Sequence, residues 1–203
     1  MIEVKHIRLP LSDEDVEALH AGDIVRLSGK ILVGRDAAHK RIAEAFKDGG
    51  EPPFSIDNEV IYYAGPAPTP PGAVIGPIGP TTSGRMDPYT PLLLSKGLRG
   101  MIGKGKRTSE VLEAVREHKA VYFGATGGTA VLLAMASRLE DMGVESYLLA
   151  DSVKSAERVA YDDLGPEAVL RLEVEDMPLV VLADCHGGNL YESGPEEARE
   201  SFL

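Results

Sequence analysis

The stretch from Ala64 to Pro91, AGPAPTPPGAVIGPIGPTTSGRMDPYTP, limits what this chain can fold into more than any other part of it. Proline fixes φ and removes a backbone donor, so neither a helix nor a central strand can run through the segment. The regular elements must lie on either side of it. A loop this long within a compact domain is either disordered or functional. The apolar pieces around Val74, Ile75 and Ile78 favour an ordered path, set by its turn residues. The 203 residues, 43% of them hydrophobic, support a sizeable core and a single domain spanning 1–203.

Before this loop, residues 2–9 suit a short edge strand, and Ser12 begins a capped helix with acids in its first turn. DIVRLSGKILVGRD alternates around Ser-Gly-Lys and predicts a hairpin. Asp36 is then expected to cap an amphipathic helix that Gly49 and Gly50 stop. NEVIYYAGP reads as a strand. After the loop come a short helix at MDPYTPLLLSKG, a strand at LRGMIGKGK and a capped helix at TSEVLEAVREHK. AVYFGATGGTAVLLAMASRL predicts strand, glycine turn and buried helix. ESYLLAD and LRLEVEDMPLVVLADCHG supply further strands, and the tail a helix. Strands and helices mix without a clean βαβ rhythm, which predicts a layered α/β domain with a mixed sheet.

The formal charge of −11 disfavours nucleic acid, whose phosphates need a basic face. It leaves room for a small anion, since a few cations in a cleft dominate locally. With no tryptophan and few aromatics, a base-stacking platform is not expected. No run of 18 apolar residues occurs, so no membrane span is expected. The N-terminus lacks the pattern of a signal peptide, and the expected location is the cytoplasm. The lone Cys185 can form no internal disulfide, nor alone ligate an iron–sulfur cluster.

Several segments carry residues suited to an anion. Arg85 offers a planar fork for a carboxylate or phosphate, Thr81, Thr82 and Ser83 offer hydroxyls, and Gly84 lets the backbone come close. The plain alternative is a surface loop with Asp87 paired to Arg85. In GRDAAHKR, Arg35 precedes a helix and His39 follows at helical spacing, within reach of a shared ligand at the helix start. A solvated basic turn explains the same residues. Lys104, between two glycines after a strand, suits a point charge in a cleft, while Lys106 and Arg107 read as solvated. GATGGT fits neither a Walker loop nor a dinucleotide fingerprint and reads as close packing of a helix on the sheet. Cys185 and His186 are neighbours on a strand end, point to opposite sides, and read as inert.

Taken together and in order, GRDAAHKR, GPIGPTTSGRMDPYTPLLLSKGLRGMIGKGKR and VYFGATGGTA resemble the beta subunit, or C-terminal region, of class I iron–sulfur hydro-lyases. These are the fumarate hydratases and L(+)-tartrate dehydratases. The resemblance runs from about residue 3 into the 180s. It implies the swivelling β/β/α fold, and an enzyme whose alpha part carries the cysteines and a [4Fe–4S] cluster. This chain would ligate no metal, and the expected assembly is an α2β2 heterotetramer. Carried onto matching positions, Arg35, Arg85 and Thr82 would bind the carboxylates of a small dicarboxylate. Lys104 would reach the same anion, and Thr81 would transfer a proton. Asp87 would orient Arg85, and His39 would support the site.

The resemblance leaves two substrates open: (S)-malate, interconverted with fumarate and water, or L(+)-tartrate, converted to oxaloacetate. A third expectation, of another class, is a non-catalytic anion-binding module.

Overall fold

The protein's structure, a computed structural model, describes residues 3–125 and 152–200. The framework is one mixed sheet built around a long strand, β2 (Ile24–Val33). One edge of β2 pairs in parallel with β1 (Val4–Arg8) along its first half and with β3 (Val60–Tyr62) at its end. β4 (Gly100–Gly103) and β5 (Val121–Gly124) continue in parallel from β3. β7 (Val169–Ala183) then pairs antiparallel with both β5 and the other edge of β2. The circuit β2–β3–β4–β5–β7–β2 is therefore closed by hydrogen bonds, and β6 (Val153–Ala160) hangs on β7.

Closure gives the sheet an inside and an outside, and the two-residue side-chain period sorts the core between them. Val60 and Tyr62, Ile102, and Val121 and Phe123 point inward with Val25, Leu27, Ile31 and Val33. Their neighbours Ile61, Tyr63, Met101 and Tyr122 point outward and pack under helices. Those helices are α2 (Asp36–Lys47), α3 (Thr90–Ser95) and α4 (Ser109–Glu117), whose apolar faces present Ile42, Leu93 and Val111. Helices α2, α3 and α4 each link parallel neighbours, so the βαβ pattern is present after all; the proline-rich segment between β3 and α3 hides it in the sequence. Among the described residues two further α-helices occur, α1 (Asp13–Ala18), opened by a reciprocal Ser12–Asp15 capping box, and α5 (Leu190–Glu200). No helix among the described residues is long and apolar enough to cross a membrane.

The hairpin expected at Ser28-Gly29-Lys30 is not there. β2 runs straight through, and the irregularity is a bulge against β7: Leu27 faces Met177 while Gly29 faces Val174. The extra residue lies on β7, where Asp176 takes a positive φ of 49°. The bulge also switches which residues of β7 face inward, from Leu172 and Val174 to Met177, Leu179 and Val181. Gly29 is glycine because its φ is 127° and a Cβ would meet Leu9 Cβ at 2.8 Å. Asp36 does not cap α2. Arg35 is the N-cap residue, without a side-chain cap bond, and Asp36 opens the first turn. Strand β6 was not expected, because its largely exposed VKSAERVA lacks an apolar face to mark it. Most of GATGGT, the apolar helix expected after it, and ESYLLAD lie outside the described residues.

Gly29→Ala combines positive-φ strain with overlap against Leu9, so it is expected to cost about 2–3 kcal/mol. Gly49→Ala, at φ 78° with open space around it, carries the strain alone and is expected to cost about 1 kcal/mol. Denaturant titration of the two variants checks the order.

Candidate functional site

The parallel strands β2, β3, β4 and β5 all end at the same edge of the sheet, the place where open α/β sheets hold ligands. The chain leaves β2 into Gly34 and Arg35, β3 into Tyr63, Ala64 and Gly65, and β4 into Lys104. The proline-rich segment leaves this edge and returns to it: Ala67 N–H donates to Pro77 O, and Ala64 bridges to Pro80. Thr81 N–H then donates to Tyr63 O at 2.7 Å, which pins Thr81 beside the end of β3. Thr82 bridges to Lys104. Segments distant in sequence thus meet on one rim.

Arg35 and Arg85 belong to it. The Arg35 guanidinium lies over Gly65, where a Cβ would come within 3.1 Å of its Cζ and Nε. Its Nη2 stands 3.3 Å from Glu167 Oε1, and Glu167 Oε2 accepts the Ala37 N–H at the start of α2. Arg85 projects from a 3-10 turn, Ser83–Met86. Its Nη2 reaches Asp36 Oδ2 at 2.8 Å, and its Nη1 donates to Thr81 Oγ1 at 3.5 Å. Arg85 therefore contacts the residue that follows Arg35, so the two arginines share one side of the molecule.

Lys104 is presented by a turn that is braced throughout. Ser83 N–H donates to Lys104 O at 2.9 Å, and Lys104 N–H donates to Ser83 Oγ at 3.0 Å. The Tyr122 hydroxyl meets the Ser83 hydroxyl at 2.9 Å and donates to Gly105 O at 2.9 Å. Gly105 N–H donates to the Tyr191 hydroxyl of α5 at 2.8 Å. Gly103 must be glycine, because a Cβ there would overlap the Ser83 hydroxyl. The backbone is fixed and the Lys104 and Thr82 side chains stand in solvent. Ser83, grouped in the sequence with the anion-suited hydroxyls of Thr81 and Thr82, is instead buried and braces this turn. Tyr122 and Tyr191 carry no such signal, because they come from remote segments.

Beneath the rim lies a buried polar layer. Asp87 does not orient Arg85. Its Oδ1 accepts Arg107 Nε–H at 2.7 Å and its Oδ2 accepts Thr108 N–H at 2.8 Å. Arg107, expected to be solvated, is 8% exposed; it also donates to Thr90 Oγ1 at 2.8 Å and lies over the rings of Tyr63 and Tyr122. Aromatic faces and a carboxylate make burial of a guanidinium tolerable, and a lysine-flanked KGKR string does not reveal it. His39 is fully buried and packs edge-on to Tyr63. Its Nδ1–H donates to the Arg35 carbonyl at 3.0 Å, while Nε2 has no partner. Burial, aided by the nearby Arg107 charge, pushes its pKa down to about 4. His39 therefore meets Arg35 through the backbone rather than through a shared ligand.

The described residues offer no group of three or more His, Cys, Asp and Glu suited to a metal. Cys185 bonds to the Val16 carbonyl, and burial pushes its thiol pKa up, the reverse of what a thiolate ligand needs. The residues present do not fit an iron–sulfur cluster. Two cavities lie elsewhere: one of about 550 Å³ beside the start of β3, lined in part by Lys30, Asn58 and Glu59, and one beyond the C-terminus of α2. The arginine-bearing rim lines neither.

Comparison with known proteins finds matches along nearly all of the chain. The family described as Fumarase C-terminus matches residues 1–194. The chain is 42% identical over 167 residues to an anaerobic class I fumarate hydratase of Escherichia coli strain K12, covering 82% of this chain and 28% of that one. It is 38% identical over 198 residues to a putative L(+)-tartrate dehydratase subunit beta of Methanocaldococcus jannaschii, covering 95% and 93%. A putative class I fumarate hydratase of Geobacillus stearothermophilus is 32% identical, covering 97% of this chain and 35% of that one. The chain thus spans about a third or less of the fumarate hydratases it matches and nearly all of the beta subunit.

Three outcomes follow from these contacts. Asp87→Ala strands a buried guanidinium and is expected to cost about 3 kcal/mol or more. Asp36→Ala, whose Arg85 partner is 55% exposed, is expected to cost about 1 kcal/mol or less, both measured by denaturant unfolding. The folded pKa of His39 lies below the unfolded 6.5, so the unfolded state takes up the proton first. Stability is complete above pH 6.5 and is lost as pH falls toward 4, by about 2 kcal/mol at pH 5. His39→Gln is expected to remove that slope in unfolding curves taken at pH 7.5 and pH 5.

Proposed function

Because the chain belongs to the Fumarase C-terminus family, we propose that it is the carboxylate-binding part of a hydro-lyase that interconverts (S)-malate with fumarate and water. One observation carries this reading: Arg35 and Arg85, fifty residues apart, lie on one rim and are joined through Asp36. A partner is supported by the putative L(+)-tartrate dehydratase relative, matched over 93% of its length and by its name a beta subunit. In this reading residues 1–203 act as one unit in the cytoplasm, in an α2β2 assembly. The partner carries the [4Fe–4S] cluster, since this chain's only thiol does not suit one.

The chemistry asks for positive charge in fixed places. Dehydration removes a weakly acidic proton beside one carboxylate and breaks the C–O bond on the next carbon, whose hydroxyl leaves as water; negative charge builds on that carboxylate as the proton leaves. Fixed cations stabilise this charge more than they stabilise the ground state. The forks of Arg35 and Arg85 take the carboxylates, Lys104 adds a point charge, and Thr82 adds a hydrogen bond. In this reading Thr81 is the group that hands a proton over. Its hydroxyl is a weak base on its own, but Arg85 at 3.5 Å makes it a better proton donor.

A second substrate has support of its own. The relative matched over nearly its whole length is a putative L(+)-tartrate dehydratase beta subunit, and tartrate differs from malate by one hydroxyl. The complex with the partner chain, purified anaerobically and assayed on malate, fumarate and both tartrate enantiomers, decides between them. Arg85→Ala is expected to lower kcat/KM by about 10²-fold or more at unchanged melting temperature. Normal kcat/KM in that variant, or turnover by this chain alone, rejects the reading.

A further inference from the structure

Among the described residues, guanidinium groups are held in two different ways. Arg41 and Arg107 spend their donors on hydrogen bonds, Arg41 to both oxygens of Asp163 at 2.7 and 2.8 Å, Arg107 to Asp87 and Thr90. Arg85 is held differently. Its contact with Asp36 is close, at 2.8 Å, yet Asp36 Oδ2 receives no aligned hydrogen bond and is shut off from solvent. Charge holds the Nη2 end, Nη1 makes only a long contact to Thr81, and the side chain stays 55% exposed.

We propose that Asp36 is the positioning residue of the rim: it anchors Arg85 electrostatically beside Arg35 and leaves the Arg85 fork open for a substrate carboxylate. This rests on the reading of the rim as a dicarboxylate site. A long side chain that is 55% exposed otherwise samples many rotamers, and each substrate molecule would have to order it. Asp36 is well placed for the task. It opens the first turn of α2, where the helix dipole favours a carboxylate, and its backbone is set by the adjoining Arg35. Glu167 stands in the same relation to Arg35, fixed by Ala37 N–H and 3.3 Å from the guanidinium without a hydrogen bond.

Positioning and competition make opposite forecasts. If Asp36 merely occupied Arg85 until substrate displaced it, removing its charge would tighten binding. If Asp36 positions Arg85, Asp36→Asn weakens binding. In the complex with the partner chain, D36N is expected to raise KM for malate and fumarate about tenfold, with kcat within about threefold of wild type. D36E is expected to recover most of the loss. In an Arg85→Ala background, D36N is expected to have no further effect, the sign of two residues acting as one unit. In the isolated chain, the Arg85 Nε–Hε NMR signal is expected to broaden or shift to the free-guanidinium position in D36N. A KM unchanged or lowered in D36N, or an unaltered Arg85 signal, overturns the proposal while leaving the reading of the rim intact. Full kcat/KM in Arg85→Ala removes both together.

Discussion

The buried pair of Asp87 and Arg107 is the contact on which the arrangement of the rim depends. Both groups are almost wholly removed from water, which costs several kcal/mol per ion unless geometry and further hydrogen bonds offset it. Here they do. Asp87 takes the Thr108 N–H as well as Arg107, and Arg107 takes Thr90 and two aromatic faces. The pair joins the end of the 3-10 turn that bears Arg85 to the segment running from Lys104 into α4. It thereby fixes, from below, two stretches whose upper surfaces carry the exposed cations.

The same division of labour recurs across the edge. Backbone and buried hydroxyls hold the frame, while above it Arg35 and Arg85 stand against flanking carboxylates and Lys104 stands in solvent. Ser83, Tyr122 and Tyr191 absorb the polar groups of the Lys104 turn, and His39 absorbs the carbonyl of Arg35. Preorganisation of this kind is what lets a charge act on a developing anion without first being ordered.

How far the sequence disclosed this depends on the kind of signal. Ser12 announced α1 because a cap is a local pattern, and Gly49 and Gly50 closed α2 where a left-handed residue was needed. Ser28-Gly29-Lys30 misled because a glycine that meets Leu9 within a strand looks the same as one in a turn. The loop bearing Thr81, Thr82 and Arg85, the Arg35 segment and Lys104 were visible by residue type, and the structure brings them to one rim. The partners were not visible. Asp87 pairs with Arg107 rather than its near neighbour Arg85, and Arg85 with Asp36 from a remote segment. Pairing is decided by which strands end side by side, which no spacing within one segment encodes.

Charge on the rim explains why such a site is best read as incomplete. Arg35, Arg85 and Lys104 supply three positive charges, and Asp36 and Glu167 stand against two of them. That leaves a balance of one on a chain whose formal charge is −11. At physiological salt, charges beyond about 8 Å are largely screened, so the remote acids matter little, but those two carboxylates act at contact range. In the proposed reading, a dicarboxylate would meet a surface that orients it without fully neutralising it. In the proposed reading, the remaining attraction and the exclusion of water come from across the open side of the rim. There a second chain would turn an exposed pair of arginine forks into one wall of a closed, low-dielectric site.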